Sequence, residues 1–168
     1  MWKQLYAAII ALFRFAVGLA FAVLIFSVLV QVLGRSVFNR SPVWTEELTR
    51  FALLYLTAFG VGLSYRSGDL VNVDIVSEAL PGRLPFILRF VSAAATVALC
   101  AALIVPSWRF AMIGNFQTSP ALGWQMSYIH GAMLVLIGCL LLFALLRALA
   151  MLTGRSEGRP VSDADTPQ

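Results

Sequence analysis

Arg-Ser-Val-Phe-Asn-Arg-Ser-Pro-Val-Trp-Thr-Glu-Glu-Leu-Thr-Arg, residues 35–50, is the stretch on which the reading of this chain turns. Two long apolar runs meet there. Of twelve basic and eight acidic residues in the whole chain, five fall inside it: Arg35, Arg40, Glu46, Glu47 and Arg50. Ionisable groups beside apolar runs of membrane length must pair, snorkel or face an interior. Ser41 followed by Pro42 predicts an N-cap with proline at the first helical position. Trp44 then lies in the first turn, at the depth where indoles anchor to headgroups. Glu46 and Glu47 follow one turn in, where the positive end of the helix dipole favours carboxylates. Arg50 is four residues from Glu46 and three from Glu47, so it can pair with either on one helix face.

Working outward, composition sets the class. The 168 residues are 60% hydrophobic and 12% charged, with a mean hydropathy of +0.87. Soluble domains carry about 25% charged residues. The chain therefore reads as all-α, an integral membrane protein of four transmembrane helices with one short interfacial helix. Its domain organisation is a single four-helix membrane domain over residues 1–152, followed by a polar, disordered cytoplasmic tail over 153–168. The net charge of +4 sets topology in such a chain and does not point to nucleic acid.

The spans are expected at about 15–33, 42–65, 85–112 and 127–149, each near the roughly 20 residues that cross a bilayer as helix. Residues 1–14 read either as an interfacial amphipathic helix or as the start of the first span. Gly18 with Ala22 in the first span, and Ala58 with Gly62 and Gly60 with Ser64 in the second, are small-xxx-small pairs that admit a close neighbour. The two pairs of the second span point to opposite faces, which suits a helix gripped on both sides. Ser67-Gly68-Asp69 predicts a turn, residues 72–80 a short helix on the membrane surface, and Pro81-Gly82 its end. Pro106 should kink the third span. Residues 114–126 carry no charge and read as a loop, with Ser119 accessible on it.

With the N-terminus inside, Lys3, Arg14, Arg66, Arg83, Arg89, Arg147, Arg155 and Arg159 fall on the cytoplasmic side, against Arg35, Arg40, Arg50 and Arg109 outside. This bias predicts both termini in the cytoplasm.

Catalytic constellations are scarce. His130 is the lone histidine, so one chain cannot hold a haem between two, and it reads as a packing residue. Cys100 and Cys139 sit in apolar runs and read as free thiols. Glycine-rich phosphate loops are missing, as are Cys-x-x-Cys pairs and mid-membrane carboxylates. No enzyme, cofactor or metal site is expected. Glu46 and Glu47 remain the most pointed side chains. They can pair locally with Arg50, Arg35 or Arg40, dock another protein, or bind an ion or substrate. A cross-span bridge from Arg109 or Arg35 to one glutamate, with Arg50 holding the other, is the sharpest form of the pairing reading.

Three motifs carry a resemblance. Trp44-Thr45-Glu46-Glu47-Leu48-Thr49-Arg50 resembles the signature of the small membrane subunit of tripartite ATP-independent periplasmic (TRAP) transporters, the DctQ-like family. Arg66-Ser67-Gly68-Asp69-Leu70-Val71-Asn72-Val73-Asp74 resembles that family's loop after its second span, with Leu70 where the family often has histidine. Thr118-Ser119-Pro120-Ala121-Leu122, followed by Tyr128, resembles its loop before the last span. The resemblance covers roughly residues 15–150. It implies a sodium-coupled importer of an organic acid such as a carboxylate in a bacterial inner membrane. It also implies two protein partners, a large multi-span membrane subunit and a periplasmic solute-binding protein. This chain would then be the accessory scaffold, with Arg35, Arg40, Trp44, Glu46, Glu47, Arg50, Gly60, Gly62, Arg109, Ser119 and Pro120 as structural or docking residues. The residues alone also leave open a membrane anchor for a redox complex, or a small stand-alone transporter.

Overall fold

The computed structural model of the chain describes residues 2–67 and 84–153. The surface helix expected over 72–80, its ending at Pro81-Gly82, residues 68 and 69 of the expected turn and the tail from 154 lie outside the described residues. The elements are all helical: α1 (Trp2–Phe38), α2 (Val43–Ser67), α3 (Leu84–Ile113), a 3-10 turn (Gly114–Phe116) and α4 (Ser127–Leu152). All four long helices are apolar enough to cross a membrane. Three of the expected spans agree with α2, α3 and α4 to within a few residues. The first is longer than expected. Residues 2–14 continue straight into the apolar run, so α1 has 37 residues and a length of about 55 Å. No proline or glycine interrupts those first residues, and once the run nucleates a helix nothing stops its backward extension.

Four serine and threonine hydroxyls inside the spans bond within their own helices. Ser27 donates to the Val23 carbonyl at 2.8 Å, Thr49 to Thr45 at 2.7 Å, Thr57 to Leu53 at 2.9 Å and Thr96 to Ser92 at 2.9 Å. Without water as a partner, this back-bonding is the least costly way to carry a serine or threonine through lipid. Pro106 lies inside the continuous α3 and leaves the Ala102 carbonyl without its usual donor.

The chain divides into two compact units. The first comprises Met1–Gly60 and Pro106–Leu136. Within it, Phe13 meets Phe59 edge-on at 6.1 Å, which ties α1 to α2. His130 stacks on Phe110 with ring centroids 4.2 Å apart, joining α4 to α3, so the lone histidine packs as its position suggested. The second unit comprises Val61–Val105 and Ile137–Gln168. Its described core holds Ala93, Cys100, Ile137, Cys139, Phe143, Ala144 and Met151, with both cysteines free and buried. Of the three consecutive alanines at 93–95, Ala93 alone is buried. The Arg147 guanidinium lies over the Tyr65 ring, 5.6 Å from its centroid. Such a contact suits a cation at the end of a span.

Gly114 marks where α3 hands the chain to the loop. A Cβ there would sit 2.6 Å from Met126 C and Ser127 Cα, and closer still to the Ser127 nitrogen. These are backbone atoms that no rotamer change can clear, so the α3 end and the α4 start approach only across a glycine. Gly114→Ala should cost at least about 1–3 kcal/mol, the usual range for overpacking. The check is a lower thermal midpoint of the detergent-solubilised chain. An unchanged midpoint would contradict the close approach.

Candidate functional site

The site begins at the turn between α1 and α2. Asn39 takes a left-handed conformation (φ 51), which asparagine tolerates better than most residues, and this ends α1. The Arg40 N–H then donates back to the Gly34 carbonyl at 3.1 Å. The returning chain passes so close to Gly34 that a Cβ there would meet the Arg40 carbonyl oxygen at 2.9 Å and Pro42 Cδ at 3.2 Å. α2 starts at Val43, one residue later than the Ser-Pro signal suggested. Ser41 does not cap it: its Oγ is buried and has no hydrogen-bond partner. The first turn is closed instead by Thr45, which is fully buried, and whose N–H and hydroxyl both donate to the Pro42 carbonyl at 3.1 and 2.6 Å. Ser41 is drawn away from the cap position because its backbone packs against Gly34.

Glu47 lies two residues beyond Thr45 on α2. Opposite lies the loop between α3 and α4. Ser119, Pro120, Ala121, Leu122 and Gly123 form one helical turn, closed by the Gly123 N–H donating to the Ser119 carbonyl at 3.0 Å. Serine before, proline in first place and a left-handed glycine after (Gly123, φ 68) are the start and stop signals of a helix compressed into five residues. The N–H groups at the start of such a turn point outward and need an acceptor. Glu47 supplies it. Ala121 N–H donates to Oε1 at 3.2 Å and Leu122 N–H to Oε2 at 3.1 Å, while the Ser119 hydroxyl donates to Oε2. Leu122 N–H is shared with Ser119 Oγ at 3.3 Å. A carboxylate is acceptor-only when ionised, and three donors converging on it are the arrangement it takes best.

The rest of the loop is closed on itself. Ser119 N–H donates to the Trp124 carbonyl at 2.7 Å, Met126 N–H to Gln117 at 2.9 Å and Gln117 N–H to Gly114 at 3.2 Å, and Thr118 and Gln125 face each other as an antiparallel bridge. A further strut crosses from α2, where the Tyr55 hydroxyl donates to the Tyr128 carbonyl at 2.6 Å.

The sequence-predicted residues separate into three groups. Glu47, Ser119 and Pro120 come together, with Pro120 exposed and setting the turn. Ser119 is not accessible as expected: it is 3% exposed, because its hydroxyl is held by Glu47. The charges do not assemble. Arg35, Arg40, Glu46, Arg50 and Arg109 are all exposed, and among the described residues none makes an ion pair with Glu47 or Glu46. The bridge expected from Arg109 or Arg35 is therefore replaced by loop N–H groups. Backbone donors are fixed in place at no side-chain entropy cost, whereas an arginine must be ordered to compete. Arg50 lends Glu47 a favourable charge from a distance. Trp44 remains exposed in the first turn of α2. Gly60 and Gly62 lie far along the same helix and differ sharply. A Cβ on Gly62 would meet Phe143 Cδ2 at 2.6 Å, whereas nothing lies within 4 Å of one on Gly60. Gly34, Thr45 and the backbone of Ala121 and Leu122 were not singled out from sequence. The Ser119-Pro120 start and Gly123 stop were a usable signal for the turn.

Among the described residues, no group of three or more His, Cys, Asp or Glu could hold a metal ion. The arrangement binds one part of the chain to another.

The family described as "Tripartite ATP-independent periplasmic transporters, DctQ component" matches residues 24–154. The chain is also similar to the sialic acid TRAP transporter permease protein SiaT of Haemophilus influenzae (strain 86-028NP), at 30% identity over 61 residues. That stretch is 36% of this chain and spans 10% of the length of the relative.

Replacing Glu47 by glutamine puts an NH2 donor among N–H donors, and Ser119→Ala removes the hydroxyl from the same contact. Each should lower the thermal midpoint of the purified chain, and the double variant should fall by less than the two costs added. Glu47→Gln combined with Arg109→Gln should be additive. Coupling of Glu47 to Arg109 and none to Ser119 would reverse the assignment.

Proposed function

We propose a scaffold role for this chain, which belongs to the DctQ component family of the tripartite ATP-independent periplasmic transporters. It is a transport component and not an enzyme, a multi-pass protein of the bacterial inner membrane. In the proposed role it packs against a large multi-span membrane subunit and widens the immobile part against which that subunit's transport domain moves. The complex imports an organic acid, such as a carboxylate, on a sodium gradient, and receives it from a periplasmic solute-binding protein. The sialic acid named in the relative's description is one acid that fits this class.

One observation carries the reading. α2 has a filled side and an open side only two residues apart: Phe143 and Cys139 close over Gly62, while Gly60 has open space. The open side runs through Thr57 and Gly60 and on toward Ser64, so it is small and partly polar. Lipid chains gain little from such a surface, whereas a second helix can approach its backbone closely. α1 supports the same reading, since hardly any of its apolar window is buried within the chain (6%, against 28% for α4). The charge bias supports an orientation: eight basic residues against four favour both termini in the cytoplasm and the Glu47 end of α2 outside.

Two outcomes are expected. Gly62→Leu should prevent the chain from folding. Gly60→Leu should leave a folded chain that no longer co-purifies with a much larger multi-span protein in mild detergent. Equal behaviour of the two variants would remove the open-side interface. For orientation, a cysteine at the exposed Arg40 should react with an impermeant thiol reagent added outside intact cells, since Cys100 and Cys139 are buried. Labelling only after the membrane is breached would invert the topology.

A further inference from the structure

We propose that the loop over residues 114–126 is seated in the membrane interface, with Phe116 and Trp124 inserted at the boundary between headgroups and acyl chains, and that Glu47 is what permits it. The inference rests on the four apolar helices and does not depend on the transport reading.

Four observations converge. The loop has no charged residue, and its exposed polar side chains (Asn115, Gln117, Thr118, Gln125) are amides and a hydroxyl. Neutral groups of this kind suit the headgroup layer. Its large side chains are turned outward: Phe116 is 92% exposed and Trp124 50%. Aromatic side chains are enriched at that depth of the bilayer. The loop is also continuous with a surface that already meets lipid, because Phe116 is the last residue of the apolar span Leu84–Phe116. The fourth observation lowers the main obstacle. Irregular backbone cannot leave water while its N–H groups lack partners. Here Gln117, Ser119, Gly123 and Met126 donate within the loop. Ala121 and Leu122, at the open start of the helical turn, donate to Glu47. Pro120 has no N–H to satisfy. Glu47 thus satisfies the two donors at the start of the helical turn, and the N–H groups of Thr118, Trp124 and Gln125, which have no partner among the described residues, are left to the acceptors of the headgroup layer.

A loop built to greet a soluble protein would keep charges free at its tip. This one carries no charge and shows apolar rings at its surface, continuous with an apolar span, so the bilayer interface is the occupant the chemistry selects.

The test uses the full chain reconstituted in phosphatidylethanolamine–phosphatidylglycerol vesicles. With Trp2, Trp44 and Trp108 replaced by phenylalanine, Trp124 reports the loop alone. Lipids brominated near the headgroup end of the acyl chain should quench its emission several-fold more than iodide present on both faces. Independently, a spin label on Phe116→Cys should collide several-fold more often with oxygen than with a water-soluble nickel chelate. Adding Glu47→Ala should shift Trp124 emission to the red and expose it to iodide. Quenching by iodide and not by brominated lipid, or nickel collisions exceeding oxygen, would place the loop in water and overturn the proposal. Protection of Trp124 from both quenchers would mean a protein covers it, which also overturns it. A Trp124 spectrum indifferent to Glu47→Ala would overturn the part assigned to Glu47.

Discussion

The structure depends on a constraint set by the solvent: near a bilayer, a backbone N–H that the protein does not satisfy has no inexpensive partner. Helices meet that demand along their length and fail at their ends. The contact between Glu47 and the start of the 119–123 turn resolves the failure at the loop, using a carboxylate from a neighbouring helix as the acceptor. Gly34 lets the chain return closely enough to start α2 beside α1, Thr45 closes its first turn, and Gly114 brings α3 and α4 together beneath the loop. Each of these residues serves the placement of one carboxylate opposite one turn.

This view changes what the conspicuous charges mean. A cluster of arginines and glutamates at a span boundary invites a salt-bridge reading. The exposed arginines of this cluster pair with neither glutamate, and surface pairs of this kind contribute little in any case. The productive electrostatics run between a charge and fixed dipoles, with the charge on one helix and the donors on a loop 72 to 75 residues further on. Adjacent glutamates therefore have unlike roles. Glu47 is bound, and Glu46 faces outward.

The glycines of α2 show the same division of labour in packing. Gly62 is occupied by Phe143 and Cys139, and Gly60 is vacant. A helix with one filled and one open side fits a subunit more naturally than a self-sufficient bundle, which accords with membership of a family of tripartite systems.

Composition and hydropathy determined the all-α membrane class and the number and approximate limits of the spans, because about 20 apolar residues in a row have few other fates. The three motifs in register, at residues 44–50, 66–74 and 118–122, carried the resemblance to the family, and Ser119-Pro120 with Gly123 already held the local signals of a turn. Sequence did not determine which partner each group would take. Ser41 was a plausible cap and Thr45 became the closing residue, since close packing at Gly34 outweighed a local preference. Arg109 and Arg35 were plausible partners for Glu47, and two backbone N–H groups took their place. Backbone donors have no signature in residue identity, so a contact made by Ala121 and Leu122 through their main chains becomes visible only once the fold sets the loop against α2. The inequality of Gly60 and Gly62 was equally hidden, because two glycines in one helix are chemically the same until a neighbour covers one of them.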